Sequence, residues 1–235
     1  FTHFYSGDAR RMRDSAARVL PHWNTSIPGY GYIKGLYAFG LEESGDYQAA
    51  ERWGREAVDD NPSDIWATHA VTHVFEMQER PDEGMAWIDE LSKQWTGMNN
   101  FTFHVWWHRA LFSLEKERYD EVLTLYDTQF RATQTEEYLD MTNAIAMLWR
   151  LESRGVNVGD RWEELADLSE QRTQGHLLYF ADAHFIMALA RAGRTEAIQE
   201  MLASLRQAAQ RDDTQCQVIA RIGLTLAEAI VSFHE

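Results

Sequence analysis

The chain has 235 residues, 45% hydrophobic and 25% charged, with four prolines and a net charge of −15. This is a globular composition with ample apolar material for a core, and its acidic residues, spread along the whole length, repel phosphate backbones and argue against a nucleic-acid partner. One cysteine, Cys216, excludes an internal disulfide and fits a reducing, cytoplasmic setting. No apolar run approaches the ~20 residues of a membrane span and no signal pattern opens the chain, so no membrane contact is expected. The first residue is Phe1 rather than Met, which reads as part of a longer protein.

Residues 6–20 predict an amphipathic helix with Met12, Ala16 and Val19 on one stripe. Pro21 ends it, and 21–31, with two prolines and two glycines, is a connection. This helix has no partner upstream, so it reads as the second half of a hairpin. The clearest unit follows: a helix over 32–44, a turn at Gly45-Asp46-Tyr47, a return helix over 48–59, and Pro62 as terminator. Ala38, Ala50 and Ala57 supply the small side chains that a helix crossing needs, which is the tetratricopeptide pattern. Turns of the same kind are expected at Glu79-Arg80-Pro81, Glu117-Arg118-Tyr119, Gly159-Asp160-Arg161 and Gly193-Arg194-Thr195. Successive spacings from Gly45 are 34, 38, 42 and 34, with the extra residues at 96–100 and 156–158. First helices should begin near Tyr32, Ile65, Phe103, Tyr138 and His176.

Each unit has apolar residues three to four apart, such as Ala144, Leu148 and Leu151 in a first helix or Met85, Ile88 and Leu91 in a return helix. A strand would need a period of two. Residues 214–235 form a first helix with no return. The expected fold is all-α: an α-solenoid of about five antiparallel helical hairpins plus half-units at both ends, in one domain over 1–235 truncated at both termini. Unpaired half-units would leave Met12, Val19, Ile222, Leu226 and Ile230 beside exposed apolar surface, open to self-association or a companion chain.

The stretch 64–117 carries the chemistry. His69 and His73 lie four residues apart on one predicted helix, and His104 and His108 on the next, so each pair shares a helix face. The stretch 30–43, His69-Ala70-Val71-Thr72-His73-Val74-Phe75-Glu76-Met77, His104-Val105-Trp106-Trp107-His108-Arg109-Ala110-Leu111, Leu148-Trp149-Arg150-Leu151-Glu152 and Asp182-Ala183-His184 together resemble the tetratricopeptide repeat protein 38 family. The likeness runs in order over most of 13–235. Members of that family are longer at both ends, and the resemblance implies a fold rather than a reaction.

In tetratricopeptide arrays, positions 2, 5, 9 and 12 of each first helix face the concave groove. With Glu79 as position 15, these are Trp66, His69, His73 and Glu76. The next units place His104 at 2, Trp107 at 5 and His108 at 6, and Phe180 at 2 and His184 at 6, while the first unit offers Tyr32, Gly35, Phe39 and Glu42. Three readings compete for this aromatic, histidine-rich groove. The imidazoles fill space between repeats, bonded to carboxylates or carbonyls. They orient a peptide segment or small molecule stacked on Trp66, Trp107 and Phe39. Or His69, His73, His104 and His108, with Glu76, ligate a divalent transition metal.

The sequence favours a binding protein with contacts at Trp66, His69, His73, Glu76, His104, Trp107, His108 and His184; the alternative is a metal-dependent or histidine-based enzyme using the same groove. No catalytic residue is identified. Ala70 follows His69, so there is no His-Glu-x-x-His; no Gly-x-Ser-x-Gly elbow or Gly-rich phosphate loop occurs, and Cys216 has no nearby histidine. The acidic pairs Asp59-Asp60, Glu163-Glu164 and Asp212-Asp213 read as solvated surface.

Overall fold

A computed structural model describes residues 2–234, which are helical or in turns, with no strand among them. The fold is all-α, and its helices pack chiefly on their neighbours in the chain and on the next helix but one, as in a helical-repeat solenoid. The chain divides into two compact units, residues 1–125 and 126–235.

The first unit contains α1 (Thr2–Tyr5), α2 (Ala9–Val19), α3 (Tyr30–Glu42), α4 (Tyr47–Asp60), α5 (Ile65–Met77), α6 (Pro81–Leu91), α7 (Phe101–Glu115) and α8 (Tyr119–Leu125). Helices α3/α4, α5/α6 and α7/α8 are antiparallel hairpins, and the first helices α3, α5 and α7 lie side by side. Ala38, Ala50 and Ala57 are fully buried, as expected of helix crossings. The core runs from Ala57 and Val58 through Val71, Phe75, Met85 and Ile88 to Val105 and Phe112. Arg109 ties α7 to its neighbours through Asp89 at 2.8 Å and Glu121 at 2.7 Å. Met12 packs against Phe39 and Ala70, while Val19 is exposed.

One turn joins the two helices of each hairpin. After α3, the Gly45 amide donates to the Glu42 carbonyl and the Asp46 amide to that of Leu41. The same bond pair recurs at Glu79/Arg80, Glu117/Arg118, Gly155/Val156 and Gly193/Arg194. Its first residue is left-handed every time, at φ 82°, 57°, 57°, 77° and 67°. This is the Schellman cap, which satisfies the last carbonyls of a helix. The fourth turn therefore sits at Gly155, not at Gly159, and the spacings become 34, 38, 38 and 38. Gly159 is also left-handed, and the extra residues 156–158 follow the cap rather than precede it.

Glu79 and Glu117 hold a conformation that costs an L-residue about 1–2 kcal/mol, more than glycine loses in backbone entropy. Glu117→Gly is thus expected to stabilise the protein by roughly 0.5–1 kcal/mol. Thermal unfolding checks this; an unchanged or lower melting temperature would count against the strained cap.

Helix starts are set by local acceptors. Asp46 caps α4, and Asp64 accepts from the amides of Trp66 (3.1 Å) and Ala67 (3.0 Å) to start α5. Asp64 is fully buried and its Oδ2 has no hydrogen-bond partner among the described residues, so burial lifts its pKa from 3.8 to about 6. The folded state then prefers the protonated form. The associated stability is complete below pH 4 and is lost as pH rises through about 6. Asp64→Asn removes this titration. Lowering the pH from 7 to 4 should stabilise the wild type, relative to the variant, by on the order of 2 kcal/mol; parallel pH profiles would refute it.

The second unit opens with a π-turn at Tyr126–Phe130, followed by α9 (Tyr138–Glu152), α10 (Arg161–Glu170), α11 (Tyr179–Arg191) and α12 (Thr195–Ala208). Then α13 (Thr214–Val218), a second π-turn at Ile219–Gly223 and α14 (Leu224–His234) run on as one helix. The Tyr179 hydroxyl donates to the Gly223 carbonyl, the kind of insertion that opens a helical ladder. Arg131, almost wholly buried, pairs with Glu164. Helix α11 begins at Tyr179, not His176: His176 is left-handed at φ 45° and cannot enter a right-handed helix. Its Nδ1 lies 3.1 Å from Asp182 and its Nε2 2.8 Å from the Ser204 hydroxyl. Ser204 is inside α12, where neighbouring amides are spent in the helix, so no free amide pair awaits an oxyanion; the bonds anchor the α10–α11 loop.

The helix Thr214–His234 is long and apolar enough, by length and composition alone, to cross a membrane. Arg221 and Glu228 interrupt its apolar residues. It packs on α11 and α12, burying Ile219 and Ala227, and Glu228 meets Arg206 at 2.7 Å. Ile222, Leu226 and Phe233 stay exposed, and Ile230 is half-buried.

Candidate metal centre

Helix α5 buries Ala67, Ala70, Val71, Val74 and Phe75. His69 and His73 project from one helix face toward α7, whose own i,i+4 pair is His104 and His108. His69 Nε2 lies 2.9 Å from His104 Nε2, and His73 Nε2 lies 3.2 Å from His108 Nε2. Within α7, the Nε2 atoms of His104 and His108 are 3.2 Å apart. One donor atom from each of the four lies within 4.8 Å of the others, and this group can hold a metal ion. Nitrogens around a tetrahedral zinc, at about 2.0–2.1 Å from the ion, are roughly 3.3–3.4 Å apart.

Carboxylates face the far sides of two rings, and one of them is hydrogen-bonded there. His108 Nδ1 lies 2.9 Å from Glu76 Oε2, and His73 Nδ1 lies 3.4 Å from Glu42 Oε2. Such partners fix ring orientation and raise the basicity of a ligating imidazole. The hydrogen-bond network assigns the proton of His108 to Nδ1, so its Nε2 presents a lone pair. His104 Nε2 faces two neighbours and one proton serves only one of them. Lone pairs therefore converge, an arrangement that a cation relieves. Burial, then the neighbouring His73, pushes the pKa of His108 well below the ordinary histidine value; burial and the three other histidines do the same at His69. Neutral imidazole is the ligating form. His69 departs from the pattern, since its Nδ1 has no hydrogen-bond partner among the described residues.

Aromatic rings wall the centre. Phe39 lies 5.6 Å from His69 and 5.9 Å from His73, and Phe101 lies 5.1 Å from His69. Trp107 stacks on His104, and Trp66 stacks on Phe101 at 3.9 Å while meeting His69 edge-on. Phe39 and Trp66 also line a pocket of about 240 Å³ with Met12, Ala16, Ile33 and Leu36.

Of the residues singled out in the sequence, Trp66, His69, His73, Glu76, His104, Trp107 and His108 assemble here. Glu76 is not a fifth ligand beside the histidines; it stands behind His108, because its helical position aims it at the far ring nitrogen. His184 belongs to the second unit, where its Nδ1 donates to the Phe180 carbonyl at 2.7 Å and burial lowers its pKa. There it lines an apolar groove with Trp149, Phe180, Leu226 and Ile230. Glu42 is the residue sequence reasoning passed over: its groove position in α3 was legible, its approach to His73 was not.

Neither a family model nor a solved structure matches this chain. The assignment of function accordingly rests on the geometry of the four imidazoles.

Proposed function

We propose that this chain is a transition-metal-binding helical-repeat protein whose first unit carries a four-histidine centre, and that the pocket beside the centre takes a small, largely apolar molecule. The observation that carries the reading is the convergence of four Nε2 atoms with two outer nitrogens backed by Glu42 and Glu76. All-imidazole sets suit zinc, copper, nickel or iron. Four imidazoles would complete a tetrahedral set for zinc, so the ion would tie α5 to α7, and the pocket beside it would take its occupant through apolar contact. The residues of this chain then have separable roles. His69, His73, His104 and His108 bind the ion, Glu76 orients the His108 ring, Glu42 faces the His73 ring, and Phe39 and Trp66 shape the pocket and keep water out. The resemblance to the tetratricopeptide repeat protein 38 family supports tetratricopeptide-like hairpins as the scaffold.

Elemental analysis tests the proposal. The chain purified without chelator is expected to retain at least one equivalent of a transition metal, and the His104→Ala/His108→Ala variant to retain at least one equivalent less while its helical circular dichroism persists. A folded wild type that binds no zinc, copper, nickel or iron even after incubation would overturn the reading.

A further inference from the structure

We infer that Glu42, Glu43 and Nδ1 of His73 form a second cation site, so that the His73 ring bridges two metal ions; this rests on the four-histidine reading for the inner ion. One donor atom from each of Glu42, Glu43 and His73 lies within 4.8 Å of the others. Glu42 is the last residue of α3 and Glu43 its C-cap, at the negative end of the helix dipole. Two adjacent carboxylates are misplaced there unless a cation joins them.

Nothing else among the described residues supplies that charge. Neither carboxylate forms an ion pair with a lysine or arginine, and the nearest basic group to Glu42 is His73. The Glu42 side chain is 6% exposed and its Oε2 has no hydrogen-bond partner. Its 3.4 Å separation from His73 Nδ1 is an approach without hydrogen-bond geometry. A buried carboxylate left unpaired is among the costlier features a fold can keep, and metal coordination is one of the ways it is compensated. The orphaned oxygen is the one that faces His73 Nδ1.

The two ions would differ in kind. Four imidazoles complete a tetrahedral set for the inner ion, whereas two carboxylates and one ring nitrogen leave the outer ion a position for water or substrate, the mark of a reactive zinc site. Glu43 is half-buried, so the outer position stays within reach of solvent. When the outer ion binds, the N–H bond at His73 Nδ1 breaks, a bond from that nitrogen to the metal forms, and the proton leaves to solvent. His73 would then be an imidazolate shared by both ions, and Glu42 would pass from an unpaired carboxylate to a ligand.

Zinc titration of the metal-free full chain, followed by equilibrium dialysis, tests this. Two equivalents are expected for the wild type and one for Glu43→Gln, a change at a half-buried C-cap that leaves the four histidines intact. Loaded with copper(II), the wild type should show the magnetically coupled signal of a bridged pair and Glu43→Gln the signal of an isolated ion. One equivalent in both proteins overturns the second site and leaves the inner one standing. Two equivalents in both assign the second ion elsewhere and overturn it equally. Uncoupled copper in the doubly loaded wild type overturns the bridge. No bound zinc in either protein is the separate failure of the four-histidine reading.

Discussion

Replacing His108 by alanine is expected to weaken zinc binding by on the order of 10²–10³-fold. A structural zinc held by four ligands is worth roughly 10–16 kcal/mol, so an equal share is about 2.5–4 kcal/mol per ligand, and 1.4 kcal/mol is tenfold in affinity. Glu76→Gln, which keeps the ligand and alters only its orienting partner, should cost about 10–100-fold. Stability separates a ligand from a space-filling imidazole. Zinc at a thousand times its dissociation constant stabilises the wild type by about 4 kcal/mol, and a chelator removes that gain. In His108→Ala the gain should largely vanish. In metal-free protein the variant should lose only the packing of the ring and its contact with Glu76 at 2.9 Å, a smaller loss that does not depend on zinc. A purely structural histidine would instead lower the melting temperature equally with and without zinc.

Phe112→Ala is expected to cost the first unit about 3–5 kcal/mol, the usual range for emptying a buried aromatic site. Phe112 is 1% exposed in α7, and its ring packs against α6 at Gly84. A β-carbon at position 84 would come within 2.3 Å of that ring. Gly84→Ala therefore sets two effects against each other: helix propensity favours alanine by about 1 kcal/mol, and overpacking opposes it by about 1–3 kcal/mol. A ring so deeply buried has nowhere to move, so overpacking should win in the wild type. In the Phe112→Ala background the clash is gone and the same substitution should stabilise, by up to about 1 kcal/mol. The sign change in a double-mutant cycle is the decisive reading; additive effects would mean the contact between α6 and α7 is not as described.

Much of the architecture followed from rules that act over a few residues. Apolar residues three to four apart mark each helix, and Asp46 and Asp64 supply the acceptors that start α4 and α5. Small residues at Ala38, Ala50 and Ala57 mark where helices cross. The i,i+4 spacing within each histidine pair is equally local, which is why the pairs could be recognised and placed on the groove side. The misplaced turn at Gly159 shows where such rules become ambiguous. Gly155 and Gly159 are both left-handed, and only the hydrogen bonds from Gly155 and Val156 back to Glu152 and Leu151 decide which one closes α9.

What the sequence determined by itself, then, was the all-helical class, the hairpin order, and the face of α5 and of α7 that each histidine pair occupies. Whether the two pairs met was decided only in three dimensions. His69 reaches His104, and His73 reaches His108, across 35 residues of chain, which requires a particular separation and rotation of α5 against α7. That geometry is set by the buried contacts of Val71, Phe75, Ile88, Val105 and Phe112 acting together, not by any one segment. The same packing turns Glu76 to the back of His108 and brings Glu42 from α3 to His73. Helix formation depends on neighbours within one turn; the meeting of donor atoms depends on the sum of side-chain volumes between helices, which no local pattern encodes.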